Sequence, residues 1–417
     1  MEKRKILLVT SGFPFGNTER GFLTTEFRHL AETFDVSILS IGSREPILYP
    51  IPESIPVERY AYPPFMGSLS GTLLLLRNSL RPRVLREMVQ AAKGRSLSQL
   101  PELFKQILAY WCNALFISQR IEAYIKEGKA DLIYTYWCTE ATLAGALLKR
   151  KYPQVRLLTR FHGHDLFHDR RETNWQPFRP LIAGEADALV FACKAGLDYF
   201  LSTWGRQYEE KSLLCYLGCA PAARPPKAPS ETLRLVSCSN LIPLKRVEHI
   251  IEGISRLPGD LSIRWEHFGN GPERQKLEAQ AEKQLGPNVS WKFHGHVPNH
   301  QIAQLYNRLD PELFLTTSST EGGVPVSLQE SLSMGIPVIG TDVGGIPDLV
   351  IPGRSGYLLP GKNCAEELAV AIMDYVNLSS VQKQELSDSA YRLWTEEFNA
   401  EHNSAAFMQV LRRLLDK

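Results

Sequence analysis

Two glutamates, Glu321 and Glu330, bracket the run TEGGVPVSLQES, and the residue types between them could hold an anion. Gly322 and Gly323 permit a turn with close backbone approach, and Pro325 suits the first turn of a helix running to Met334. The opening N–H groups of such a helix have no intrahelical partners and lie at the positive end of its dipole, so they suit a diphosphate. Glu321 precedes that site, and Glu330 follows the helix start by about five residues, roughly 7 Å. A ligand with a diphosphate between two hydroxyl-rich groups would meet one carboxylate on each side. Sugar nucleotides have that layout; the plain alternative is a solvated loop and an exposed helical glutamate.

Lys245 and Arg246, in SNLIPLKRVEHII, fall between a strand and a helix, where two cations could balance a departing diphosphate. The chain has no Asp-x-Asp pair, so these cations would do what a divalent metal does elsewhere. The run TRFHGHDLFH brings Arg160, His162, His164, Asp165 and His168 just after another strand. His162 and His164 lack the four-residue helical spacing of zinc ligands and no Cys or Glu completes a set, so no metal site is expected. A histidine and an aspartate that position a substrate hydroxyl fit better. HFGNGPERQKLE, with Gly269 and Gly271, lacks the third glycine of a dinucleotide fingerprint, and FHGHVPNH, with His294, His296 and His300, reads as a strand-to-helix loop.

The elements that must hold these groups alternate along the chain. A strand at Lys5 to Thr10, the loop SGFPFGNTERG, a helix to Phe34 and a strand from Asp35 form a βαβ unit, and all-apolar ILLV suits a parallel strand covered on both faces. Residues 69–128 read as a helical insertion, after which strand patterns return up to Gly218. The proline-rich PAARPPKAP, Pro221 to Pro229, cannot continue a helix or central strand and predicts a domain boundary. Beyond it the alternation restarts. The predicted fold is α/β, two Rossmann-like doubly wound domains facing a cleft: 1–220 with the insertion, 230–395, and a C-terminal helix, 396–417, crossing back to the first domain.

At 417 residues the chain is too long for one core, and a net charge of +2 provides no global field for nucleic acid. Seven cysteines without an export signal predict reduced thiols, and the start MEKRKILLV reads as cytoplasmic. No apolar stretch reaches the roughly 18 residues of a spanning helix. RNSLRPRVLREM sets Arg77, Arg81, Arg83 and Arg86 among leucines and a valine, a basic amphipathic face that could dock on anionic lipid at the inner side of the plasma membrane.

Taken in order, FPFGNTERGFLTTEFRHLAETFDVSILS, RFHGHDLF, YLGC, SNLIPLKRVEHIIEGI, HFGNGPERQKLE, FHGHV, the long run through TDVGGIPDLV and GYLLP resemble family four of the GT-B glycosyltransferases, retaining enzymes with two Rossmann-like lobes. The resemblance implies a hexosyl transfer from a nucleotide-diphosphate sugar, UDP or GDP, to a glycan or lipid-linked acceptor in cell-surface polysaccharide biosynthesis, with no metal or other cofactor. It implies that Glu321 binds the donor sugar and Glu330 the ribose, while the backbone of Gly322, Gly323, Val324, Pro325, Val326 and Ser327 holds sugar and diphosphate. Lys245, helped by Arg246, would stabilise the departing diphosphate. His162 would face the transferred sugar with Arg160 and Asp165 on the acceptor side, the loop at Gly16 would approach the phosphates, and Gly269 and His296 would lie on the donor side. Two departures stand out. Eight residues, 322–329, separate the glutamates, one more than the family's usual spacing, so either Glu330 keeps its role after a local bulge or Gln329 takes its place. Asn240 replaces the family's arginine, whose charge Arg246 could supply. A GT-B phosphorylase or sugar-nucleotide epimerase, or an inert GT-B binding subunit, are the competing expectations.

Overall fold

The apolar run Ile6 to Val9 can be satisfied only by a strand covered on both faces, and the computed structural model, which describes residues 3–16, 19–42, 45–63, 69–224 and 230–416, places it at the centre of a parallel sheet. The first sheet comprises β1 (Lys5–Thr10), β2 (Asp35–Ile41), β3 (Val57–Tyr60), β4 (Leu132–Thr135), β5 (Arg156–Phe161), β6 (Ala188–Phe191) and β7 (Ser212–Leu214). Their order is β3-β2-β1-β4-β5-β6-β7, every neighbour parallel. The direction of winding reverses between β1 and β4, which opens a crevice at their carboxyl ends. Strand β3, VERY, has too little apolar pattern to be recognised beforehand; it is an edge strand held by β2 alone.

The second sheet, β8 (Leu233–Cys238), β9 (Ile263–Phe268), β10 (Val289–Phe293), β11 (Leu313–Thr316), β12 (Val338–Thr341) and β13 (Gly356–Leu359), has the order β10-β9-β8-β11-β12-β13, again all parallel. Its switch point lies between β8 and β11. The strands that carry Lys245 and Glu321 at their carboxyl ends are therefore neighbours.

The 69–128 insertion is three helices, Leu69–Ser79, Pro82–Ala92 and Leu100–Lys126. The last turns Leu103, Ile107, Tyr110, Ala114, Ile117 and Ile121 inward at helical spacing, onto a core shared with Leu7, Val9 and Leu39.

The chain divides into two compact units, Met1–Cys215 with Ser404–Lys417, and Tyr216–Asn403. The end of helix Ala400–Leu415 belongs to the first unit because Phe407, Met408, Leu411 and Leu414 pack with Ile6, Leu8 and Val36; burying each such side chain is worth about 1.5–3 kcal/mol. The division comes ahead of the proline-rich stretch rather than within it. Cys219 donates its N–H to Phe398 O at 2.9 Å and accepts from Ala400 N at 3.1 Å, which ties residues before Pro221 into the second unit. Of the expected linker, 225–229 lies outside the described residues.

Candidate functional site

In the second unit the loop after β8 and the loop after β11 are stitched together. Ser319 N donates to Leu244 O at 2.8 Å, and Thr317 Oγ1 donates to Arg246 O at 2.7 Å. Arg246, in a left-handed conformation at φ 47°, returns its guanidinium to Thr317 O (2.8 Å) and Ser318 O (3.2 Å). The cation offered as a substitute for a missing arginine is thus an anchor of the loop that carries Glu321. Lys245, its neighbour, forms an ion pair with Glu321, both side chains being partly exposed. Asn240 is exposed on the same loop, and Gly269 N, bonded to Gly295 O at 2.9 Å, joins the β9 loop to the one bearing His296, which is exposed.

Helix Val326–Ser333 starts beside this pair with Pro325 as its N-cap and no side chain closing its first turn. The turn before it is shaped from beneath by a second pair of glycines. A Cβ on Gly345 would stand 2.5 Å from the backbone of Gly323, and one on Gly344, at φ 56°, would stand 2.2 Å from Glu321 O. The Gly-Gly step at 344–345 therefore exists so that the 321–324 turn can settle onto it. Gly323 itself faces open space, so the additional residue is absorbed at the outside of the turn.

Gln329 and Glu330 differ sharply. The Gln329 side chain is buried and donates to Val324 O at 2.9 Å, closing the turn from inside the helix. Glu330 accepts from Asn299 Nδ2 at 3.2 Å, and its charge is felt at Cys219, Cys238 and Tyr306. Burial pushes its carboxyl up to about 7. Asn299 carried no sequence signal, since it lies far along the chain at the start of a different helix.

In the first unit, His162 follows β5. Its Nε2–H donates to Tyr136 O at 2.9 Å, which fixes the tautomer because a carbonyl only accepts, and its ring lies against Trp137 at 4.2 Å between centroids, tilted by 39°. Burial, aided by the Arg160 charge, holds its pKa down at about 4, so the imidazole is neutral at pH 7. His164 is exposed, and His168 Nδ1 accepts from Gln176 N at 2.9 Å; among the described residues no cluster of three or more metal-ligating side chains forms.

Three expectations change. Arg160 is 1% exposed: it pairs with Glu26, donates to Tyr134 Oη and Cys215 O, and lies over the Phe407 ring, so it is a core ion pair and faces no acceptor. Asp165 is equally buried; its carboxylate accepts from His162 N and Cys138 N at 2.9 and 2.8 Å, so it positions the histidine loop rather than touching a substrate. Gly16, at φ 63°, gives its N–H to Pro46 O at 3.2 Å, which leaves it no N–H for a phosphate. The preceding amides of Ser11, Gly12 and Phe13 all donate to Glu19, at 2.6–2.9 Å, and Trp137 Nε1 adds a fourth bond at 2.5 Å. Glu19 and the buried Arg179, which clasps Asp165 O, Cys138 O and Gln176, were not picked out from sequence. Arg179 reaches Cys138 O, 41 residues away, and Glu19 reaches Trp137, 118 residues away, contacts of which local spacing holds no trace.

Residues 222–392 match the family described as glycosyl transferases group 1. The chain is 29% identical over 177 residues to a Salmonella typhimurium protein named as the colanic acid biosynthesis glycosyltransferase WcaL, 42% of this chain and 43% of that one. It is 35% identical over 138 residues to one from Bacillus subtilis named as the teichuronic acid biosynthesis glycosyltransferase TuaC, 33% and 32% of the two chains. It thus spans less than half the length of these curated relatives. The crystal structure of Anabaena HepE in complex with UDP superposes with a TM-score of 0.64 at 17% identity, covering 98% of this chain and all of that one, a likeness of fold. The likeness to the glycosyl transferases group 1 family thus lies in residues 222–392, and the two Rossmann-like parallel sheets are those of the GT-B fold.

Proposed function

We propose that this chain transfers a sugar from a nucleotide-diphosphate sugar to a glycan or lipid-linked acceptor in cell-surface polysaccharide biosynthesis, with retention at the anomeric carbon and without a metal ion. The observation that carries this is the Lys245–Glu321 ion pair beside an uncapped helix N-terminus, with the Glu330 carboxyl further along the same helix. The diphosphate lies against the first turn of Val326–Ser333, Glu321 accepts from donor sugar hydroxyls, and Glu330 accepts from the ribose. Donor binding then separates the ion pair, as Lys245 turns to the diphosphate. The bond from C1 to the leaving diphosphate oxygen breaks while the acceptor oxygen bonds to C1 on the same face, and the acceptor's proton passes to the departing diphosphate. Lys245 and the helix dipole stabilise the charge that develops there. The names of WcaL and TuaC and the UDP in HepE support this reading.

The test is a panel of UDP- and GDP-sugars scored for binding and for slow hydrolysis without acceptor, each with and without EDTA. At least one donor is expected to bind and turn over equally in both conditions. Activity abolished by EDTA and restored by manganese would remove the metal-free mechanism, and a panel without binding would remove the transferase reading.

We place the protein at an anionic membrane surface. Leu73, Leu76 and Leu80, then Leu85 and Val89, recur at helical spacing on the outside of Leu69–Ser79, Pro82–Ala92 and the turn between them, up to 74% exposed. Arg77, Arg81 and Arg86 are exposed among them, with Arg83 partly so; the single acid in 69–95, Glu87, is buried against Trp175 Nε1 and Phe178 N. Apolar side chains ringed by arginines suit lipid headgroups better than water. No helix among the described residues is long and apolar enough to cross a membrane. The protein is expected to co-sediment with phosphatidylglycerol vesicles and not phosphatidylcholine vesicles, and to lose this with Arg81→Glu and Arg86→Glu combined. Equal recovery with both lipids would sink the idea.

A further inference from the structure

A cavity of about 140 Å³ opens at the carboxyl ends of β1, β2 and β4, at the switch point of the first sheet, where doubly wound folds bind ligands. Tyr62 and Trp137 supply aromatic surface, and Thr10, Ser11, Thr139 and Glu140 supply polar groups. The volume is close to that of the roughly 150 Å³ cavity known to admit a six-membered ring. The aromatic wall is fixed in advance: Trp137 is held at its edge by the Glu19 carboxylate and on its face by His162. Glu140 is half-buried, hydrogen-bonded to Asn113 and near the Arg171 and Arg179 charges, yet it makes no ion pair in this arrangement and no step above uses it. Among the described residues lining the cavity it is the one acid, and none of them is a cation.

Aromatic faces take the C–H surface of a pyranose, and a carboxyl with neighbouring hydroxyls takes its O–H groups. Burial raises the pKa of the Glu140 carboxyl, so negative charge is already disfavoured there, and a carboxylate or phosphate on the ring would add to it in the same poorly solvated place. We propose that this cavity is the subsite for the acceptor's terminal pyranose, that it selects an uncharged sugar, and that Glu140 and Tyr62 set that selectivity. Trp137 then joins the subsite directly to His162. This assignment rests on the sugar-transfer reading above.

The experiment is saturation-transfer NMR on the full chain with methyl α-glucoside, methyl α-galactoside, methyl α-N-acetylglucosaminide and glucuronate. The unmodified protein is expected to bind at least one neutral glycoside and to bind glucuronate about tenfold more weakly or not at all. Tyr62→Ala and Glu140→Ala should each weaken the neutral glycoside about tenfold, while Glu140→Gln should let glucuronate in, an effect that a merely structural glutamate would not produce. UDP binding by each variant, which reads the other unit, controls for folding. No glycoside binding by the unmodified protein, equal binding by the alanine variants, or glucuronate binding as well as the neutral sugars overturns the proposal. If UDP-sugars are bound and hydrolysed in those samples, the cavity assignment alone falls; if they are not, the transferase reading falls first.

Discussion

Lys245→Ala is expected to lower kcat for sugar transfer by about 10²–10³-fold, with a much smaller change in donor KM. The ammonium already has an anionic partner in Glu321, so it adds little to the ground state: on donor binding it exchanges one anion for another. Its gain comes as the C1–oxygen bond breaks and charge builds on the diphosphate. Lys245→Arg keeps the charge and should retain part of the rate. Glu321→Gln should raise donor KM as well as lower kcat, because it weakens hydrogen bonds to the sugar that exist before reaction. Arg246→Ala is predicted to behave differently from Lys245→Ala. It removes the bonds to Thr317 O and Ser318 O, leaving Ser318 O only its bond from Thr341 Oγ1, so it should lower Tm and loosen donor binding together, since these bonds hold the loop on which Glu321 stands. Steady-state kinetics with a hydrolysable donor separates the three. A Lys245→Ala enzyme within threefold of the unmodified kcat would be incompatible with the mechanism.

Glu330 yields the second large effect, on pH dependence. Its folded pKa of about 7 lies above the ordinary value of 4.5, so without donor the carboxyl is largely protonated below pH 7. A carboxylate that accepts two ribose hydroxyls must be ionised, so donor binding below that pH has to release a proton. Affinity should therefore fall by up to about tenfold per pH unit below about 7 and level off above it. Titration calorimetry in buffers of different ionisation enthalpy should detect the proton. Stability runs the opposite way. Because the folded pKa is raised, burying the ionised form is unfavourable, and the empty protein should lose stability as pH climbs from the unfolded value of 4.5 through about 7, by at most about 3 kcal/mol. Glu330→Gln should then be more stable than the parent at pH 8 while binding donor poorly and without pH dependence. A pH-independent affinity in the parent would exclude Glu330 from the ribose.

Much of this site was legible because its parts are local. A turn of glycines, a proline at a helix start and a glutamate further along the same helix occupy one continuous run, so spacing alone orders them. The choice between Gln329 and Glu330 was not legible: adjacent helical residues point about 100° apart, and which of them meets the turn depends on how the helix is seated. Arg160 and Asp165 misled for a related reason. A charged residue near the end of a buried strand looks the same in sequence whether it meets a ligand or, as for Arg160 within β5, a glutamate on a helix.

The sequence by itself determined the two parallel α/β arrays, the helical insertion, and the positions of Lys245, Glu321 and Glu330 near strand and helix ends, since hydrophobic period and turn chemistry act over a few residues. Which charges meet one another came from long-range packing. The Lys245–Glu321 pair, the support of Gly344 and Gly345 beneath the Glu321 turn, the bond from Trp137 to Glu19 and the cavity beside Glu140 all join loops that follow separate strands. Those contacts follow from strand order, which long-range packing sets and no local pattern encodes.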